Sequence, residues 1–312
     1  MNDSTIDSNS GGGDPGAGRD AWTRGVVVGV DGSAEGYHAF DWALAVADRH
    51  HVRLTVSHAE PLPVGPTVPL PTYDRAPLHD RGDEILRTAL ARAGDRPPGS
   101  KDIEVSVSIG TPAAVLTALS EDVDLVVVGR RGSGGSAHAL GSVSAATAAR
   151  ARGAVAVTPA STRGTRPKHV VVGVSFEHDL TAALSLAFSE ARQCGAPVKL
   201  VHAVQPPTPI ASQSGSAGTD ELYRELQSLL DRWAVRYPSV TATAEARRGE
   251  PAEVLLAQVT AADVLVVGGR RHSRFVGRLL GSVPDVLLAD ATGAVVVAHA
   301  PRLDPGPYSE PA

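Results

Sequence analysis

Apolar residues in this chain gather in short continuous runs, and polar stretches at helical spacing separate the runs. GVVVGV at 25–30, VRLTVSH at 52–58 and the stretches 103–109, 123–128 and 154–158 have the length and Val content of strands. A run apolar at nearly every position suits a strand covered on both faces. After the first run, Ser33 is placed to cap a helix over 34–49, with Phe40, Leu44 and Ala47 on one face. Further helices are predicted over 78–94, from Thr111–Pro112 to near Glu121, and from Ser142. Residues 60–77 hold Pro61, Pro63, Pro66, Pro69, Pro71 and Pro77, which predicts an irregular excursion that is neither helix nor central strand.

The whole plan then repeats. VVVGVDGS (26–33) returns as VVVGVSFE (170–177), DLVVVGRRG (124–132) as DVLVVGGRR (263–271), LGSVS (140–144) as LGSVP (280–284), and RGAVAVTP (152–159) within TGAVVVAHA (292–300). The offset drifts only from 144 to 139. A period this long with two copies predicts two folded domains in tandem and excludes a solenoid. The expected division is a disordered leader (1–22), domain one (23–160), a linker (161–167), domain two (168–300) and a Pro-rich tail (301–312). Strands alternating with helices imply an α/β fold, a doubly wound parallel sheet in each copy.

Composition narrows the setting. With 312 residues the length prior agrees with two domains. A net charge of −5 offers no basic field of the size nucleic acid requires. Cys194 is the single cysteine, which leaves no internal disulfide and no Cys-based zinc spacing. No apolar run approaches the ~18 residues of a membrane span, and the leader lacks a secretory apolar core. A cytoplasmic protein is expected. Of the eleven histidines, His58 and His202 occupy equivalent strand positions, which points to a structural role. Tyr37, Trp42, Trp233 and Tyr237 are read as packing residues.

Candidate chemistry sits where strands end. Asp31 follows the first strand and Gly129 the fourth, and ligands of open α/β sheets bind at strand carboxyl ends. Gly129 and Gly132 permit close backbone approach. Gly141–Ser142 opens a helix, whose free N–H groups and dipole favour an anion. Ser142 and Ser144 add hydroxyl donors, and Arg130 or Arg131 is placed to approach phosphates. A carboxylate such as Asp31 suits donors, whether ribose hydroxyls or an adenine amino group. The chain has no G-x4-G-K-[ST] loop, no G-x-S-x-G elbow and no G-x-G-x-x-G after its first strand.

From VVVGVDGS through DLVVVGRRG to GSVS and the last Val-rich strand, both copies resemble the universal stress protein family in its tandem form. The resemblance implies a Rossmann-like fold of strand order 3-2-1-4-5, with an intrachain pseudo-dimer formed through the last strands of the two copies. Members that bind ATP carry G-x2-G-x9-G-[ST] and an Asp after the first strand. By resemblance, Asp31 contacts the nucleoside, Gly129 and Gly132 the ribose–phosphate turn, and Gly141, Ser142 and Val143 the phosphates, with Ser144 beside them. Adenine rests against the second strand around Thr55, Val56 and Ser57, and Mg2+ accompanies the triphosphate.

Each copy departs from that motif in its own way. Copy one has eight residues, 133–140, where the motif has nine. Copy two keeps Gly268, Gly281, Ser282 and Val283 and the nine-residue spacer, but has Arg271 for the second glycine and Ser175 for the aspartate. Losing a charge-assisted hydrogen bond costs about 1.5–3 kcal/mol, so copy one is the expected ATP site and copy two a possible second one. The expected function is ATP binding in a stress-response regulator rather than catalysis, with unidentified protein partners and a homodimer possible. Slow ATP hydrolysis in the same pocket and a nucleotide-free interaction module are the alternatives.

Overall fold

The computed structural model describes residues 22–60, 76–94, 96, 100–134, 140–204, 217–269 and 282–299. The first copy runs β1 (Val26–Gly29), α1 (Ala34–His50), β2 (Leu54–Glu60), α2 (Ala76–Arg92), β3 (Ile103–Ile109), α3 (Pro112–Leu119), β4 (Leu125–Gly129), α4 (Ser142–Arg150) and β5 (Ala154–Thr158). The second repeats it as β6 (Val170–Val174), α5 (Thr181–Cys194), β7 (Val198–Val204), α6 (Ala217–Arg236), β8 (Ala242–Arg248), α7 (Pro251–Leu256), β9 (Val264–Gly269), α8 (Ser282–Asp290) and β10 (Ala294–His299).

Local chemistry sets these boundaries. Ser33 Oγ accepts from the Gly36 N–H at 3.0 Å to open α1, and His51 closes it in a left-handed conformation. Pro112 and Pro251 each sit in the first turn of a helix, where no amide is needed. One boundary corrects the sequence reading. Helix α2 begins at Ala76, so Pro77 stands in its first turn rather than in the irregular stretch. Residues 61–75, with the other five prolines, lie outside the described residues.

All ten strands form one sheet, in the order β3-β2-β1-β4-β5-β10-β9-β6-β7-β8. Each half therefore has the 3-2-1-4-5 order. Pairing is parallel within each half. At the centre β5 and β10 pair antiparallel, with Ala156 opposite Val296. Alternate residues feed two cores. Val26 and Val28 join Phe40, Phe188, Leu184 and Leu226 under α1, α2, α5 and α6. Val27 joins Leu116, Leu265, Leu287 and Leu288 under α3, α4, α7 and α8. Both cores cross the midline, so each copy buries part of its apolar surface against the other.

The midline also carries polar locks. Glu190 on α5 receives Arg49 Nη2 at 2.5 Å and His50 Nε2 at 2.6 Å from α1, and Trp22 stacks on His50 with centroids 4.1 Å apart. Arg49 also donates to the Thr165 carbonyl in the linker at 3.0 Å. His50, in the last turn of α1, is thus committed to the other copy. His299, at the end of β10, bonds the Ala148 carbonyl of α4 at 2.7 Å. Its ring covers Gly269 so closely that a Cβ there would fall 2.2 Å from Nδ1. At the position equivalent to Gly269, copy one has Arg130, whose guanidinium donates to the Ala291 carbonyl at the end of α8. No described helix is long and apolar enough to cross a membrane.

Candidate functional site

Strands β1, β2 and β4 of copy one end together at a cavity of about 470 Å3. One end of it is built by Gly129, Arg131, Gly132, Ser133, Gly141, Ser142, Val143 and Ser144. This is the β4–α4 loop and the first turn of α4, which presents unsatisfied N–H groups. The other end is Ser57, His58, Ala59 and Glu60 of β2 with Arg81 and Ile85 of α2. Asp31 stands between them, one residue past Val30.

Asp31 is held from both sides. Oδ1 accepts from the Ser33 N–H at 3.0 Å and Oδ2 from the Ser133 N–H at 2.6 Å. Burial pushes its carboxyl up, but these amides and the Ser33 and Ser133 hydroxyls outweigh burial and hold it below the ordinary value. It is therefore a hydrogen-bond acceptor at neutral pH. The two nearest glycines make room for it: a Cβ at Gly132 would lie 2.6 Å from Oδ2, and one at Gly36 would lie 2.7 Å from Oδ1. The Asp–Gly pairing that the sequence offered as a motif is thus a direct contact.

The phosphate-type loop is pinned by its own backbone. Gly141 N–H donates to the Arg130 carbonyl at 2.9 Å, and Ser144 Oγ donates to the same carbonyl at 2.7 Å. A Cβ on Gly141 would meet both that carbonyl and Ser144 Oγ at 3.0 Å. Ser144 is therefore buried and spent on the loop, whereas Ser142 is exposed at the cavity. Of the two arginines, Arg131 lines the cavity and Arg130 does not. Arg131 is engaged by Glu35 of α1, through its N–H at 2.7 Å and its Nε at 2.9 Å, and Arg130 points across the midline.

At the other end, His58 Nδ1 donates to the Val30 carbonyl at 2.8 Å. His202 repeats that bond to Val174 at 3.0 Å in copy two, so the pair is a structural device. The wall of the cavity starts at Ser57; the side chain of Val56, the sequence candidate, is fully buried in the core beneath it. The sequence reading missed Glu35 and Glu60. The signal for Glu60 was available, since a carboxylate ends an apolar strand where copy two has Val204.

Copy two keeps the frame and changes the chemistry. Gly173 packs on Leu255 as Gly29 packs on Leu116. Ser175 replaces Asp31, and Phe176 replaces Gly32 with its ring 5.3 Å from that of His202. Gly268 is the penultimate residue of β9, Ser282 begins α8, and Val283 packs partly buried against the core that holds Leu287. Gly281 and the arginine-rich stretch before it lie outside the described residues, as do 135–139 of copy one.

The model of the universal stress protein family matches residues 23–159 and again 167–299. A universal stress protein of Mycobacterium tuberculosis (strain ATCC 25618 / H37Rv) is 31% identical over 287 residues, covering 88% of this chain and 97% of its own. A second from the same strain is 30% identical over 303 residues, covering 89% and 96%. Among solved structures, a universal stress protein from Archaeoglobus fulgidus DSM 4304 superposes with a TM-score of 0.67 at 17% identity, covering 88% of this chain and 98% of that one.

Proposed function

The chain belongs to the universal stress protein family, with two family domains in tandem, and on that premise we propose that its first domain binds ATP. The observation that carries this reading is the pairing of Asp31, held ionised by the Ser33 and Ser133 amides, with an α4 N-terminus opening onto the same cavity. Phosphates lie against the amides of Gly141, Ser142 and Val143, where an anion meets the helix dipole. A ribose hydroxyl donates to Asp31, and the base reaches the end of β2. Mg2+ enters with the triphosphate. The phosphate end lacks carboxylates among its described lining residues, so phosphate oxygens and water hold the ion.

The role is regulatory binding in a cytoplasmic stress response, not turnover. In the second domain, Ser175 for Asp31 leaves only a neutral hydroxyl acceptor and Phe176 for Gly32 brings a bulky ring into the turn, which supports one nucleotide per chain. Calorimetric titration of the nucleotide-stripped chain with Mg·ATP tests this. A stoichiometry near one is expected, and silence at millimolar ATP would transfer the argument to a nucleotide-free interaction module.

A further inference from the structure

The end of the cavity farthest from the phosphate loop holds a carboxylate that the nucleotide reading has not used. Glu60 closes β2, lines the cavity and is only 5% exposed. Its backbone does ordinary work: the Gly110 N–H donates to its carbonyl at 2.9 Å, and the Gly249 N–H does the same to Val204 at 3.1 Å in copy two. The side chain is where the copies part. The sheet registers place Glu60 opposite Ile109 and Val204 opposite Arg248, at the same step of equivalent strands. The fold therefore accepts a valine at this step.

Two neighbours change together with it. A Cβ at Gly82 would lie 2.7 Å from Glu60 Oε1, so this mid-helix glycine makes room for the carboxylate. Glycine inside a helix costs about 1 kcal/mol relative to alanine. Counted back from the helix ends at Arg92 and Arg236, copy two has the buried Leu226 at the matching place, and Ile85, Leu86 and Ala89 answer to Leu229, Leu230 and Trp233. Asp31 is likewise Ser175 there, while the His58 and His202 bonds are kept. Both carboxylates and the glycine that admits one of them thus belong to copy one, at the cavity described above.

Position tells what Glu60 meets. The phosphate loop follows β4, Asp31 follows β1, and Glu60 ends β2, in adjacent strands β4-β1-β2. Strands are spaced about 4.8 Å apart, so the three stations follow one another in the order phosphate, sugar and base. A carboxylate oxygen accepts hydrogen bonds and repels another acceptor. We infer that Glu60 is the base-specificity residue of this cavity, accepting a hydrogen bond from the exocyclic amino group of a 6-aminopurine and disfavouring a 6-oxopurine.

This rests on the nucleotide reading above, and the test separates the two. The nucleotide-stripped full chain is titrated with Mg·ATP and with Mg·ITP, which differs in carrying a 6-oxo group and a protonated N1. The native chain is expected to favour ATP by about tenfold or more. In Glu60→Gln, whose amide donates as well as accepts, the two affinities should come within about threefold of each other. Glu60→Val reproduces the residue found in copy two, guards against a folding artefact in the Gln variant, and should abolish the preference as well. ATP binding with an unchanged preference in both variants, or no preference in the native chain, overturns the role of Glu60 and leaves the ATP site standing. Binding of neither nucleotide to the native chain overturns both.

Discussion

Glu190 of the second domain places Oε2 2.6 Å from Nε2 of His50 in the first, while its Oε1 receives Arg49 at 2.5 Å. Both partners are nearly inaccessible, with side-chain exposures of 2% for His50 and 4% for Glu190. Removing the carboxylate leaves two buried donors facing a void. Glu190→Ala is expected to destabilise the chain by about 3–5 kcal/mol, read as a shift in the urea midpoint.

The same group sets an acid limit. Burial opposes its charge, yet His50 and Arg49 hold its carboxyl at about 2, below the ordinary 4.5. A folded value below the unfolded one contributes stability that is complete above about pH 4.5 and is lost as pH falls towards 2. The stability gap between native chain and Glu190→Gln should therefore narrow as pH falls from about 4.5 towards 2. A gap that widened on acidification would contradict the assignment.

Cys194 lies one turn beyond Glu190 and donates to its Oε1 at 3.3 Å. Burial, reinforced by the Glu190 charge, pushes its thiol up to about 12. At pH 8 the folded chain should resist alkylation by iodoacetamide for hours and react only when unfolded. Rapid labelling of folded protein, followed by mass spectrometry, would show that the midline opens readily.

At the proposed nucleotide site, Asp31→Ala should weaken Mg·ATP binding about ten- to hundredfold, from the loss of one charge-assisted hydrogen bond. Thermal stability of the ligand-free chain should change little, because Asp31 serves a half-buried loop.

Gly132→Ala gives a sharper geometric check. Its methyl would fall 2.6 Å from Asp31 Oδ2, so the loop must retreat from the carboxylate. Overpacking of this kind costs about 1–3 kcal/mol, or roughly ten- to hundredfold in ATP affinity. Equal affinity in calorimetry would mean that the loop relaxes without loss.

Much of this molecule was legible in its residues. Val-rich runs gave the strands because continuous apolar sequence has one economical solution in an α/β protein, and the internal repeat fixed the number of domains. Asp31, Gly129, Gly132 and Gly141 could be placed at one site because strand ends converge in a known order. What escaped was whatever depends on the third dimension between distant segments. Nothing near His50 announces Glu190, 140 residues away. A sequence cannot show that Arg130 reaches across the midline to Ala291, or that Arg131, at the cavity, is also paired with Glu35. The resemblance put the base end at Thr55, Val56 and Ser57, and of these the cavity lining includes Ser57.

Arg130 and Gly269 occupy matching steps of the two halves, yet one extends an arm and the other lies flat under the His299 ring. A dimer assembled from two identical polypeptides could never hold this arrangement, since every change would appear on both sides of its axis. Joining the halves in one chain lifts that constraint. It lets the two halves diverge in the side chains they present at the seam, and it makes each chain its own mate there.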